Sequence, residues 1–186
     1  MINPEFKLDV GYIQIYMGNG KGKTTASLGL TLRHLGHGGN VLYASFCKGN
    51  KCFISGEKIF FKNCKDVYGK GLNFKRFGSR IKWEAPQNIT YGDKRWAIKN
   101  WKFIKENYSK YSLVVLDEVT AALKCGLLSE KRLIDLLRNK PEQTEIVLTG
   151  RIFPESILNL AHLVTSMEPV KHYWDLGVMC RNGIEV

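Results

Sequence analysis

Gly18-Asn19-Gly20-Lys21-Gly22-Lys23-Thr24-Thr25 is the stretch on which the reading of this chain turns. Gly11 to Met17 before it is rich in strand formers, with Tyr12, Ile13, Ile15 and Tyr16. After it, a helical pattern is expected from Lys23 to about Leu35, with Leu28, Leu32 and Leu35 on one inward face. Gly36, Gly38 and Gly39 end that pattern, and Val41 to Phe46 reads as a second parallel strand. Strand, glycine loop, helix, strand is the start of a βαβ unit, the context a phosphate-binding loop requires. Glycines let backbone N–H groups curl round an anion, and the following helix points its positive end at it. Lys23 is placed to reach phosphate oxygens and Thr24 to put its hydroxyl on Mg²⁺. Standard spacing would place glycine at 17, where Met17 stands, so the loop is a shifted variant.

Two later strands carry companion residues. Leu113 to Leu116 is a buried strand ending in Asp117-Glu118. An acidic residue at the carboxyl end of such a strand can hold a cation, so Thr24, Asp117 and Glu118 are the candidate metal residues. Three roles are open to Glu118: a base, a second cation contact or a structural partner. Glu145 to Leu148 is another strand, followed by Thr149-Gly150-Arg151, which points Arg151 at the ligand crevice.

The remaining elements are coarser. Asp93 to about Tyr108 is expected to be helical, with Trp96, Trp101, Ile104 and Tyr108 inward. Ser129 is expected to cap a helix through Arg138, with Leu133, Leu136 and Leu137 inward. Pro154 opens a short helix to about Leu160, and Leu163 to Met167 is a last strand. A long excursion runs from about 48 to 92, with a short strand around Leu72 to Phe77. The tail from Glu168 to Val186 lacks periodicity and is expected on the surface or over the ligand site.

The sequence has 186 residues, fitting one α/β domain. Its net charge of +11 is concentrated: Lys48 to Lys105 holds 15 Lys and Arg against 4 Asp and Glu. That surplus suits a triphosphate, phosphorylated cofactors or nucleic acid, and equally a solvated lysine-rich surface. Cys47, Cys52, Cys64, Cys125 and Cys180 form no C-x-x-C pair. Free thiols in a reducing cytoplasm are expected. No secretory signal and no membrane span is read.

Read together, the distant motifs resemble the P-loop-type ATP:corrinoid adenosyltransferases. That family commonly opens G-N-G-K-G-K-T-T, as at Gly18 to Thr25, and continues with an arginine and G-H-G, here Arg33 and Gly36-His37-Gly38. Phe46-Cys47-Lys48-Gly49 matches its F-x-K-G, Leu116-Asp117-Glu118 its L-D-E and Thr149-Gly150-Arg151 its T-G-R. Pro169-Val170-Lys171-His172, Gly177 and Gly183-Ile184-Glu185 match its tail. Departures occur at Ile81, where an aromatic usually precedes Trp83 by two residues, at Ala161-His162, at Ser166 and at Thr120-Ala121.

The resemblance implies a P-loop NTPase-like, RecA-like three-layer fold with a mainly parallel sheet. It implies transfer of the 5′-deoxyadenosyl group of ATP to a Co(I) corrinoid, with triphosphate as leaving group. In that family the nucleotide lies reversed relative to ordinary P-loop enzymes, and the resemblance implies the same orientation here. Gly18, Asn19, Gly20, Lys21, Gly22, Lys23, Thr24 and Thr25 would hold ATP with Mg²⁺ or Mn²⁺. Lys23, Arg151 and Glu118 are the catalytic candidates. Arg33, His37, Lys171 and His172 are further ligand-site candidates, and Trp83 is the candidate for the corrinoid's lower face. A cytoplasmic homodimer served by an electron-donating reductase is the implied setting. Two other readings stand beside it: a divergent P-loop ATPase or small-molecule kinase, and an ATP-dependent nucleic-acid-binding module using the basic segment.

Overall fold

Val, Leu and Ile fill both faces of the central strands, the pattern of parallel strands covered by helices on each side. The computed structural model describes residues 6–46, 55–63, 71–77 and 89–185. Its strands are β1 (Ile13–Met17), β2 (Val41–Phe46), β3 (Leu72–Phe77), β4 (Leu113–Asp117), β5 (Glu145–Thr149) and β6 (Leu163–Ser166). Its α-helices are α1 (Lys23–Gly36), α2 (Gly56–Asn63), α3 (Tyr91–Asn107), α4 (Val119–Lys124), α5 (Glu130–Arg138) and α6 (Glu155–Leu158). Short 3₁₀ turns cover Tyr108–Lys110 and Tyr173–Leu176.

The six strands form one sheet in the order β3-β2-β4-β5-β1-β6, and every pairing is parallel. All carboxyl ends therefore lie along one edge. That edge carries the glycine loop, Asp117-Glu118, Thr149-Gly150-Arg151 and Ser166-Met167. Alternate residues of the strands feed two cores. On one face Ile15, Leu42, Val114 and Leu148 pack with Trp101 and Ile104 of α3, Val119 of α4, Leu133 of α5 and Ile157 of α6. On the other, Val41, Tyr43, Val115 and Val147 pack with Leu35 of α1 and Phe61 of α2. The fold is a three-layer α/β sandwich.

Several expectations match closely. The strand at Leu72–Phe77 is present, and Ser129 caps α5 by accepting a hydrogen bond from the Arg132 N–H. Leu133, Leu136 and Leu137 all face inward. Three corrections follow from packing. Leu32 is 56% exposed, because the inward face of α1 is Lys23, Ser27, Thr31, His34 and Leu35. Trp96 is half exposed, since the inward stripe of α3 runs through Trp101, Ile104 and then Tyr108. Pro154 is the N-cap of α6, one position before its first turn, and that helix stops at Leu158. The helices α2 and α4 and the turn at Tyr173–Leu176 were not expected from the pattern. Each is short, and α2 interrupts the basic excursion. Trp83, Ile81, Cys47, Cys52 and Cys64 lie outside the described residues. Cys125 is a buried free thiol and Cys180 an exposed one. Among the described residues no helix is long and apolar enough to cross a membrane.

Candidate functional site

The loop between β1 and α1 is shaped by two left-handed glycines, Gly18 at φ 105° and Gly22 at φ 123°. Gly18 N–H donates to the Arg151 carbonyl at 3.0 Å, and Gly20 N–H donates to the Met167 carbonyl at 2.6 Å. A Cβ at Gly20 would meet that same carbonyl oxygen at 2.6 Å, so backbone packing demands glycine here. Gly22 is the N-cap of α1, and no side chain caps the helix. The first turn of α1 holds no acidic residue and its last turn holds Arg33 and His34. The helix thus presents an uncapped positive end at the loop, the arrangement that binds anions.

Lys23 is buried, and its ammonium donates to the carbonyls of Gly18 and Gly20, each at 2.7 Å. Burial pushes its pKa down; Glu118, Asp117 and Glu168 pull it up, and Arg151 adds to the lowering. Those influences place all four side chains in the electrostatic neighbourhood of Lys23.

Asp117 ends β4 fully buried. Its Oδ1 accepts from Thr24 Oγ1 at 2.9 Å and from Thr149 Oγ1 at 2.8 Å. Ser45, its neighbour across β2, approaches Oδ2 at 3.5 Å. The Thr149 hydroxyl in turn accepts the Glu118 N–H at 2.8 Å. One threonine therefore joins the two acidic residues, from a strand adjacent to theirs. Glu118 has φ 58° and ψ 32°, the only left-handed non-glycine among the described residues. Such a conformation costs about 1–3 kcal/mol and persists where surrounding contacts hold it. Here it turns the chain from β4 into α4 and sets Glu118 on the wall of a groove of about 640 Å³ that opens on Lys21 to Thr25.

Thr24, Asp117 and Glu118 offer hydroxyl and carboxylate oxygens, a hard donor set suited to Mg²⁺. No cluster of three His, Cys, Asp or Glu occurs among the described residues. A cation here would share its coordination between few protein oxygens and phosphate, which is the Mg²⁺ habit.

Arg151 follows β5 beside the loop, with its N–H donating to Thr120 Oγ1 at 3.2 Å. Gly150 packs so closely on Thr120 that a Cβ would lie 2.2 Å from its hydroxyl oxygen. The tail comes back to the loop: Lys21 Nζ donates to the Ile184 carbonyl at 3.0 Å and to Glu185 Oε1 at 2.9 Å. His172 caps the 3₁₀ turn, its Nδ1 accepting the Trp174 N–H at 3.1 Å, and Lys171 is exposed beside it. Thr25 lines the groove and Asn19 is exposed at the loop tip.

The structure thus brings together the loop, Lys23, Thr24, Asp117, Glu118 and Arg151. It does not bring Arg33 and His37 to them. Both lie at the far end of α1, about 15–20 Å from the loop by the rise of a helix of this length. Thr149, Thr120, Met167 and Glu185 touch the site without having been singled out for it. The hydroxyl ending a strand beside an acidic strand end was a readable signal for Thr149. A carbonyl contact such as that of Met167 leaves no trace in side-chain type.

An all-parallel α/β sheet with an uncapped, glycine-rich helix start and a buried aspartate beside it defines a nucleotide-binding class of protein. Comparison with known proteins narrows this. Residues 9–186 match the model of the ATP:corrinoid adenosyltransferase BtuR/CobO/CobP family. The chain is 33% identical over 178 residues to a corrinoid adenosyltransferase of Sinorhizobium sp., spanning 94% of this chain and 80% of the relative. It is 32% identical over 177 residues to the corrinoid adenosyltransferase CobA of Salmonella typhimurium, spanning 94% and 85%. Among solved structures it is similar to the flagellar accessory protein FlaH from Methanocaldococcus jannaschii, with TM-score 0.53 and 16% identity over 86% of this chain and 72% of that one. That last likeness concerns the fold alone. The chain belongs to the ATP:corrinoid adenosyltransferase family, and it is an enzyme that adenosylates a corrinoid with ATP. The ATPase or kinase and nucleic-acid readings of the sequence give way to this one.

Proposed function

We propose that Gly18 to Thr25 holds the triphosphate of ATP, and that the protein works by stabilising triphosphate as it leaves C5′ of the ribose. The observation that carries this reading is the juxtaposition of Lys23, Thr24 and the Asp117–Thr149–Glu118 network at one end of the sheet. In this reading the fold is of the P-loop, RecA-like kind and forms a single domain with its tail over the site. The strand β5 lies between the loop strand β1 and the acidic strand β4.

The reduced corrinoid, as substrate, supplies the nucleophile, so no protein side chain need attack. What the chain must do is place C5′ in line and disperse the charge of the leaving group. The loop amides and Lys23 take up phosphate charge. Arg151, beside Gly18, adds a second cation. Thr24 and Asp117 would hold Mg²⁺, with Glu118 as a further contact, and the bound ion would neutralise phosphate charge as a Lewis acid. Thr149 keeps the Asp117 carboxylate aimed at Thr24. Lys171 and His172 belong to the tail that shapes the site's rim. Trp83 is assigned to the corrinoid's lower face by its family motif. Homodimer formation and an electron-donating reductase complete the proposal.

The test combines the protein with ATP, Mg²⁺ and chemically reduced corrinoid. Light-sensitive adenosylated product and released triphosphate are expected, and Lys23→Ala should abolish both. Product formation by folded Lys23→Ala protein at the wild-type rate would rule out the phosphate-loop mechanism.

A further inference from the structure

We propose that Glu185 belongs to the nucleotide site: its carboxylate competes with the polyphosphate chain for the Lys21 ammonium and so sets how tightly triphosphate is held. The proposal rests on the reading that Gly18 to Thr25 binds the triphosphate.

Glu185 is the hub of the tail. Its Oε1 accepts from Lys21 Nζ at 2.9 Å, from Arg181 Nη2 at 3.2 Å and from the Tyr173 hydroxyl. Its Oε2 accepts from the Arg181 N–H at 2.9 Å and Nε at 3.3 Å. The Arg181 guanidinium also stands 4.9 Å from the centre of the Tyr173 ring, and the Lys21 ammonium 5.9 Å from it. One carboxylate thus closes the segment 173–185 on itself and hooks it to the loop. Arg181 first, and Tyr173 next, hold the carboxyl well below the usual carboxylate range, so it is an anion under working conditions.

Lys21 is two residues before Lys23 on the loop, and Ile184 and Glu185 wall the same groove as Gly22 to Thr25. A phosphate oxygen on Lys21 would sit within ~6 Å of the Glu185 carboxylate, given ordinary charge-assisted bond lengths on one nitrogen. Two anions that close repel, and a polyphosphate carries several charges. Lys21 therefore passes from Glu185 to phosphate as the nucleotide enters, and passes back as triphosphate leaves. Arg181 and Tyr173 keep Glu185 paired meanwhile, so the exchange strands no charge. Glu185 thereby acts on affinity for the leaving group rather than on the chemical step.

Titration of the intact protein with inorganic triphosphate and Mg²⁺ tests this. Glu185→Gln should tighten triphosphate binding about five- to tenfold, and Glu185→Asp should restore most of the wild-type value. In a Lys21→Met background the Glu185→Gln gain should vanish. Amide exchange in residues 173–185 should speed up on adding triphosphate to the wild-type protein. Unchanged or weaker binding by folded Glu185→Gln overturns the proposal, as does an equal gain in the Lys21→Met background. Lys23→Ala separates the two readings: if it binds triphosphate like wild type, the phosphate-loop reading fails whatever Glu185 does.

Discussion

The two faces of α1 are built on opposite principles. The face against the sheet is largely polar: Lys23, Ser27, Thr31 and His34 are all buried. The face away from it carries Leu32, which meets solvent at the groove, while Leu28 is half-buried between the groove and the second core. In α5, across the sheet, the order is the ordinary one, with Leu133, Leu136 and Leu137 against the core. Polar burial in α1 is tolerated because each group is satisfied at once. Ser27 Oγ donates to the Thr24 carbonyl at 2.8 Å and lies 3.0 Å from the Tyr43 hydroxyl. Thr31 Oγ1 donates to the Ser27 carbonyl at 2.8 Å, and His34 Nε2 pairs with Ser112 Oγ at 2.6 Å. A helix that must aim its first turn at an anion is held by directional bonds. A helix that only closes a core is held by apolar area.

The sharpest way to break this contrast is at the polar end of the α1 contact. Asp117→Ala removes the acceptor that Thr24 and Thr149 share. Triphosphate release should fall by roughly 10²- to 10³-fold, about 3–4 kcal/mol of transition-state stabilisation. A circular dichroism spectrum should show the variant folded. Next in size is a paired substitution. Leu133→Ala should cost about 2–5 kcal/mol in urea unfolding, because its site is fully buried. Leu32→Ala should stay within ~0.5 kcal/mol, because its side chain already meets solvent. Equal losses would mean that Leu32 packs against the sheet as Leu35 does.

A smaller effect is expected from His34. Burial, with some help from His37, lowers its pKa from 6.5 to about 4. Between those values the unfolded chain binds the proton and the folded chain does not. Stability should therefore be full above pH 6.5, decline as the pH drops toward 4, and gain no further slope from this group below that. The slope should not exceed about 1.4 kcal/mol per pH unit. His34→Gln should flatten the decline in melting temperature over this window. A small effect of opposite sign belongs to Gly29, whose added Cβ would meet nothing within 4 Å. Gly29→Ala should raise stability by about 0.5–1 kcal/mol, since an exposed helical glycine costs backbone entropy.

The contrast also explains what was legible in the sequence. The glycine loop, Asp117-Glu118 and Thr149-Gly150-Arg151 were readable because each closes a strand rich in strand-forming apolar residues. Parallel pairing then had to bring their ends to one edge. On α1 the leucine period marks Leu35 as buried and Leu28 as partly packed, but it also marks Leu32, which meets solvent. The Ser27–Thr31 stripe beside it becomes meaningful only once its bonds to the helix's own carbonyls are seen. Arg33 and His37 were grouped with the loop by motif. Distance along a rigid helix, invisible in a list of motifs, keeps them from it within this chain. The latch at Glu185 depends on a contact between residues 164 positions apart, which no local pattern encodes.

The carbonyl of Met167 has a consequence for how the site fails. It receives the Gly20 N–H just past the end of β6, the strand at the edge of the sheet whose residues are all exposed. The loop's floor therefore rests on the part of the sheet with the least buried area behind it. Local fraying of an edge takes far less free energy than global unfolding. Mild warming or low denaturant should thus release the loop's shape while the interior strands still protect their amides. Affinity for nucleotide would then be lost well before the fold is.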